Sequence, residues 1–228
     1  MQNLSIIIPA KNEKDNLPIV LKELLFELKN KIKYEIIVVK NIEDNSTDLL
    51  NKEIKDQIKI INPNIKGYGA ALKYGFENSK FDYVCVFNAD GAFMPSDIFE
   101  MFRKIRNGYE CIFGSRYLKK NSSEDDTFIT FIGNKIFTFI GKIFFRLKIS
   151  DILYTYFICK KELINNLNFS SNNFAICVEI PIKIHRSNKS YSDIICYERK
   201  RISGQKSVND FKDGFLILLK MINLFFIK

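Results

Sequence analysis

Asn88-Ala89-Asp90-Gly91 follows a short apolar run, Val84-Cys85-Val86-Phe87, and ends it abruptly in polar residues. A run of that length reads as a strand buried on both faces, as in a parallel sheet. The Asp90 carboxylate then sits just past the C-terminal end of the strand, the edge at which open α/β sheets bind ligands. A carboxylate there can hold a divalent cation against a diphosphate. Asn, Asp and Gly are also ordinary turn formers, and these residues taken alone satisfy that reading equally well. A second chemical feature lies upstream. Gly67-Tyr68-Gly69-Ala70-Ala71 opens a helix, and helix N-terminal N–H groups can face an anion. The dinucleotide fingerprint is a different pattern: here the third glycine is missing and the motif comes after the third strand instead of the first.

The elements that must position these residues alternate along the chain. Leu4 to Ile8 form a first strand stopped by Pro9, and a polar loop from Ala10 to Asn16 feeds a helix from about Leu17 to Asn30. Tyr34 to Val39 form a second strand. The Asn41–Asp48 loop offers Ser46 or Thr47 as N-cap for the next helical turn. Ile58 to Ile61, the helix from Gly67 to about Ser79, the Val84–Phe87 strand, a helix from Pro95 to Asn107 and a strand from Glu110 to Gly114 continue the pattern. Lys119 to Asp126 read as a mobile polar loop, Val178 to Ile184 as a helix start or short strand, and Ile194 to Glu198 as a strand. The alternation predicts an α/β fold: a mostly parallel, Rossmann-like sheet with helices on both faces. Residues 1–214 read as the body and 215–228 as a C-terminal apolar helix.

The chain has 228 residues and a formal net charge of +9, which favours anionic partners. The basic residues are scattered, so nucleic acid is not indicated. The five cysteines lie far apart with no CxxC pair, which fits reduced thiols in the cytoplasm. A single histidine, His185, excludes a His-rich metal centre and reads as a surface or packing residue. No basic n-region precedes an apolar run at the N-terminus, so no signal peptide is expected.

Phe128 to Ile149 form a long, broadly apolar stretch in which Lys135, Lys142 and Arg146 share one helical face. Those charges argue against a simple membrane span. The stretch fits a helix lying at an anionic membrane surface, or a core helix with a basic solvent face.

With these residues in place, the chain resembles the family 2 glycosyltransferases of GT-A fold, and within them the dolichyl- and polyprenyl-phosphate sugar transferases. The likeness is carried by Ser5-Ile-Ile-Ile-Pro9-Ala-Lys-Asn12-Glu13, Glu35-Ile-Ile-Val-Val39, Glu43-Asp44-Asn45-Ser46-Thr47-Asp48 and Lys66-Gly67-Tyr68-Gly69-Ala70-Ala71-Leu72. It continues through Asn88-Ala89-Asp90, Gly114-Ser115-Arg116-Tyr117 and Tyr197-Glu-Arg-Lys-Arg201-Ile-Ser-Gly204. The resemblance implies that Pro9, Lys11 and Glu13 meet the nucleoside of a nucleotide-diphosphate sugar and that Asp44 reads its base or ribose. It implies that Asn88, Ala89 and Asp90 occupy the DxD segment, with Mg²⁺ or Mn²⁺ held by Asp90 and Asn88. Arg116 and Arg201 would face phosphates, and Glu179 would lie near the acceptor. Asn88 stands where the family has its first Asp and offers one neutral oxygen. Ala92 replaces a frequent polar ligand, and Asp126-Thr127 replace an arginine of the polyprenyl-phosphate enzymes.

The activity implied is inverting sugar transfer to a lipid-linked (polyprenyl phosphate) or glycan acceptor, in the cytoplasm or peripherally on the cytoplasmic membrane face. A phosphate acceptor is already a nucleophile and needs no base. A hydroxyl acceptor needs a carboxylate, for which Glu179 or Asp151 are the candidates. A catalytically impaired nucleotide-sugar-binding subunit is the alternative that Asn88 and Ala92 suggest. A nucleotidyltransferase would share the sheet, but its Gly-rich loop would come after the first strand.

Overall fold

The computed structural model describes residues 3–64, 66–119 and 122–227. Seven strands form one sheet: β1 (Asn3–Ala10), β2 (Lys33–Lys40), β3 (Lys59–Ile61), β4 (Tyr83–Val86), β5 (Cys111–Ser115), β6 (Phe157–Lys160) and β7 (Tyr191–Ile195). Their order is β3-β2-β1-β4-β6-β5-β7. All neighbours are parallel except β6, which runs antiparallel to both β4 and β5. The helices are α1 (Leu17–Leu28), α2 (Lys52–Lys55), α3 (Tyr68–Glu77), α4 (Asp97–Arg106), α5 (Phe128–Phe145), α6 (Lys161–Asn165), α7 (Ile176–Arg186) and α8 (Asp210–Phe226).

The central strands are apolar because both faces are covered. Leu4, Ile6 and Ile8 of β1 join α1 and α4 in one core, while Ile7 joins α3, α7 and α8 in the other. Ser5 interrupts the run. Its hydroxyl donates to Glu35 Oε1 and accepts the Phe81 N–H, so this buried polar group is paired. All five cysteine thiols are free, and His185 Nδ1 lies 2.8 Å from the Tyr191 hydroxyl as a packing residue.

Several boundaries differ from the sequence expectation. β6 is the antiparallel return strand, and its direction is set by long-range pairing to β4 and β5 that no local pattern carries. Of the two readings of residues 178–184 the helix holds and the strand does not: they lie within α7, which carries Pro181 inside it. The cap after the Asn41–Asp48 loop is Asn51, whose side chain accepts the Ile54 N–H; the Ser46 hydroxyl instead accepts the Glu13 N–H. The α5 helix stops at Phe145 because Arg146 adopts a left-handed conformation, φ 57°. Leu147 and Ile149 then turn into the core. At the C-terminus, α8 starts at Asp210, capped by the Asn209 side chain, and buries Ile217, Met221 and Leu224 against the body.

Within the 119–126 loop, residues 120–121 lie outside the described residues, and the remainder is tied down. Glu124 N–H donates to Glu198 O at 2.9 Å, and the Tyr117 hydroxyl donates to Asp126 Oδ2.

Candidate active site

Strands β2 and β4 flank β1 on opposite sides, so the chain crosses over in opposite directions from β1. That is the switch point at which the C-terminal strand ends of an open α/β sheet leave a crevice. A cleft of about 620 Å³ lies there. Pro9, Lys11, Glu13, Asp44, Gly67, Asn88, Ala89, Asp90, Arg116 and Arg201 all line it. The size suits a nucleotide-sized ligand.

The β1 exit forms one wall. Asn12 has φ 59°, a left-handed turn that asparagine tolerates. Asp44 clamps this turn to the β2 exit: its Oδ2 accepts the Asn12 N–H at 2.7 Å and its Oδ1 accepts the Ser46 N–H at 2.8 Å. Glu13 accepts from the Asn16 amide and from Arg201. Burial raises the Glu13 pKa, against the opposing pull of Asn16 and Arg201.

The β4 exit forms the floor. Asp90 Oδ1 accepts the Ala92 N–H at 3.1 Å, and Asp90 Oδ2 accepts from Arg201 Nη2 at 3.2 Å. Gly91 has φ 83°, and a Cβ there would sit 2.4 Å from Ile202 Cδ1. Only glycine lets the 198–202 segment lie across this turn, where Arg199 N–H donates to Ala92 O and Ile202 N–H to Asp90 O. Asn88 Oδ1 lies 3.0 Å from the Tyr68 hydroxyl, which is also 2.8 Å from Thr155 Oγ1. Tyr68 stacks on Phe174 at 4.9 Å, and burial raises its pKa well above the usual phenol range.

The Gly67 turn is shaped by close approach. At φ 109°, a Cβ would meet Asn172 O at 2.1 Å. The expected anion-facing helix end is partly closed, because Ala70 N–H donates to Asn172 O and Ala71 N–H to Gly67 O. Lys11 and Lys66 line the cleft and enter no ion pair among the described residues.

Two expected catalytic residues stand away from the cleft lining. Glu179 is fully buried, and its carboxylate accepts from the Ser170 and Ser171 N–H groups and pairs with Lys183 at 2.9 Å and Lys220 at 3.2 Å. Burial alone would raise its pKa, but the serine and lysine contacts prevail and hold it well below the usual carboxylate range. A carboxylate so engaged holds α7 to α8 and the 170–171 loop and is a poor proton acceptor.

Asp151 is also buried and grips Arg116, with Oδ2 2.7 Å from Nε and Oδ1 3.1 Å from Nη2. The resemblance had Arg116 facing phosphate. It lines the cleft, but Glu198 at 3.3 Å and Asp126 at 3.5 Å also hold its Nη1. Burial would lower its pKa; the Asp151 and Glu198 charges more than offset that and raise it. Glu198 did not stand out in the sequence. Its signal there is a lone acidic residue at the head of the basic run Arg199–Arg201.

The metal position can be tested on these contacts. Among the described residues no group of three or more His, Cys, Asp or Glu side chains could hold a metal ion. Asn88 is an amide whose Oδ1 accepts from the Tyr68 hydroxyl, so Asp90 is the one carboxylate of the Asn88–Asp90 segment. Mg²⁺ is commonly held by one or two carboxylates plus substrate phosphates. The donor set therefore fits a cation that arrives with a diphosphate and is completed by it.

The sheet order and the cleft at the β1–β4 switch point define a GT-A-type fold. Residues 5–167 match the family described as glycosyl transferase family 2, and the chain belongs to that family. It is 30% identical over 189 residues to the dolichol-phosphate mannosyltransferase of Pyrococcus furiosus, covering 79% of this chain and 52% of that protein. It is 22% identical over 200 residues to the polyprenol monophosphomannose synthase of Mycolicibacterium smegmatis, covering 84% and 74% respectively. The chain spans about half the length of the first of these relatives.

Glucosyl-3-phosphoglycerate synthase from Mycobacterium tuberculosis, solved with UDP, matches all of this chain and 81% of its own with a TM-score of 0.73 at 12% identity. The same enzyme solved with Mn²⁺, UDP-glucose and phosphoglyceric acid gives a TM-score of 0.76 at 12% identity. At that identity the likeness establishes the fold.

Proposed function

We propose that the chain transfers a sugar, with inversion, from a nucleotide-diphosphate sugar to a lipid-linked or glycan acceptor. The observation that carries the reading is the meeting of Asp90 and Arg201 in a cleft walled by Pro9–Glu13 and Asp44. The nucleoside would lie against the β1 and β2 exits, and the diphosphate over Asp90, within reach of Lys11, Lys66 and Arg201. Mg²⁺ or Mn²⁺ held by Asp90, when bound, would neutralise charge on the departing nucleoside diphosphate. Arg201 supplies fixed positive charge to the same leaving group, and its position is set before reaction by Glu13, Asp90 and the Gln205 carbonyl. Asp44 contributes by fixing the Asn12 turn, so that the nucleoside wall exists before the donor arrives. Ground-state order of this kind lowers the cost of reaching the transition state.

Peripheral attachment to the cytoplasmic face of a membrane is part of the same proposal. The α5 helix is long and apolar enough by composition to cross a bilayer. Yet Thr138, Gly141 and Phe145 pack on the body, and Phe144 and Phe145 meet Phe225 of α8 edge-on. Phe128, Phe131, Phe139, Phe211, Phe215 and Phe226 remain exposed on these two helices. A pair of surface helices with apolar faces and flanking lysines suits an anionic interface. The two polyprenyl-type relatives support a lipid-linked acceptor.

The test is donor consumption by purified protein with UDP-, GDP-, CDP- and dTDP-sugars, with detergent-dispersed lipid and glycan acceptors, and the anomeric configuration of the product read by NMR. One donor consumed with inverted product supports the reading; binding without turnover on any acceptor would leave a nucleotide-sugar-binding subunit.

A further inference from the structure

The Asn88 amide has two polar ends, and the fold engages one of them. Its Oδ1 lies 3.0 Å from the Tyr68 hydroxyl. An amide oxygen carries no hydrogen, so the single Tyr68 proton points at it. The 2.8 Å contact between Tyr68 and Thr155 Oγ1 is then a Thr155 O–H donated to the Tyr68 oxygen. The Tyr68 ring stacks on Phe174 at 4.9 Å, and Tyr68 opens α3 directly after the Gly67 turn. The scaffold therefore holds the hydroxyl that orients the amide.

The other end is Nδ2. It has no hydrogen-bond partner among the described residues and is not sealed from solvent, and Asn88 lies half-buried in the cleft lining. The Asp90 carboxylate does not use it: Oδ1 takes the Ala92 N–H and Oδ2 takes Arg201. An aspartate at position 88 would offer oxygen to the cleft from either end. The asparagine, with its oxygen turned to Tyr68, offers two N–H donors. Such donors suit an anionic oxygen and do not ligate a cation.

Resting on the nucleotide-sugar reading of this cleft, we infer that Asn88 binds the donor's diphosphate directly through Nδ2–H and takes no part in holding a cation. Tyr68 is the positioning residue that keeps the amide this way round. The diphosphate over Asp90 is then held in two ways. A cation on Asp90 contributes when it is bound, and the Asn88 amide contributes whether or not it is bound. Part of the nucleotide affinity is therefore independent of divalent metal. An aspartate in the same place would repel the diphosphate whenever the metal is absent. The replacement of the first acidic residue of the motif is thus a change from oxygen ligand to N–H donor.

The experiment titrates UDP, GDP, CDP and dTDP into wild type, Asn88→Ala and Tyr68→Phe by calorimetry, once with Mn²⁺ and once with EDTA. Melting temperatures are recorded for each protein, and the nucleotide that wild type binds is the probe. Asn88→Ala is expected to weaken its binding by roughly 10- to 100-fold in EDTA and by a similar factor with Mn²⁺, the scale of one hydrogen bond to a charged group. Tyr68→Phe keeps the ring and frees Oδ1. It is expected to weaken binding in EDTA and to raise the ratio of the EDTA and Mn²⁺ Kd values several-fold, because the freed amide can turn its oxygen to the cation. A purely structural role for Tyr68 would leave that ratio level. A loss in Asn88→Ala confined to Mn²⁺ makes Asn88 a cation ligand and overturns the inference. No loss in either condition overturns it, as does wild-type binding that requires Mn²⁺. An equal loss for the bare nucleoside, read by competition, moves the contact off the diphosphate and overturns it too. No binding by wild type in either condition overturns the nucleotide-sugar reading itself. Should Asn88→Ala not fold, Tyr68→Phe decides: an unchanged ratio overturns the inference.

Discussion

Arg201 Nη2 lies 3.2 Å from Asp90 Oδ2 and 3.3 Å from Glu13 Oε1, so one guanidinium joins the β1 and β4 exits across the switch point. Its Nε is buried without a hydrogen-bond partner among the described residues. A diphosphate entering over Asp90 would meet this guanidinium first. Replacing Arg201 by Ala is expected to weaken nucleotide binding by roughly 10- to 100-fold, the scale of one or two hydrogen bonds to a charged group. Calorimetric titration of the nucleotide against both proteins checks it. Arg201→Lys is expected to recover only part, because an ammonium cannot bridge two carboxylates and a phosphate with a planar fork.

Gly67 tests the shape of the cleft wall. Its φ of 109°, with Asn172 O only 2.1 Å from where a Cβ would stand, leaves no room for a side chain. Gly67→Ala is expected to destabilise the fold by roughly 1–3 kcal/mol. A melting temperature that does not move on this substitution would contradict the local geometry.

Glu179 gives a pH prediction. Its folded-state pKa is depressed, so the stability it contributes is fully present above its unfolded value, about 4.3, and is lost as pH falls through the folded value. Glu179→Gln is therefore expected to lower the melting temperature at neutral pH and to flatten the loss of stability below about pH 4. Breaking a buried pair of this kind costs about 3–5 kcal/mol. The nucleotide Kd of the folded protein is expected to stay the same, since Glu179 does not line the cleft. A lost nucleotide affinity with unchanged melting would return Glu179 to the site.

The exposed phenylalanines of α5 and α8 predict binding to vesicles containing anionic lipid at low salt. Raising the ionic strength from about 0.01 M to about 0.15 M shortens the Debye length from about 30 Å to about 8 Å and is expected to weaken that binding. Phe131→Glu with Phe139→Glu is expected to reduce sedimentation with such vesicles to near background, as both side chains are exposed. Sedimentation of the double variant equal to wild type would contradict the proposed interface.

The parts of this molecule that obey local rules were readable in the sequence. The runs from Leu4 to Ile8 and from Ile36 to Val39 are apolar on both faces because helices cover both faces. That pattern alone yields a parallel sheet and places Asp90 at its ligand edge. The ordered motifs brought Pro9, Lys11, Glu13, Asp44, Asn88 and Arg201 to one cleft. The features that stayed hidden depend on long-range contacts. The β6 strand is defined by antiparallel pairing to β4 and β5, a long-range contact that its own residues do not announce. Arg116 looked like a phosphate ligand until the fold set Asp126, Asp151 and Glu198 around it. Glu179 looked like an acceptor-side acid, while the lysines that hold it, Lys183 and Lys220, come from the next turn of α7 and from the distant α8.

The cleft at Asp90 is proposed to bind the diphosphate of a nucleotide sugar, and on this everything else about the activity rests. The most direct test is thermal stabilisation of wild type and Asp90→Asn by UDP, GDP, CDP and dTDP, each with Mn²⁺ or with EDTA, because a ligand that binds only the folded state raises the melting temperature. The expected result is a rise with one nucleotide that is larger with Mn²⁺ and is lost in Asp90→Asn. No rise with any nucleotide, or a rise that Asp90→Asn leaves intact, would contradict it.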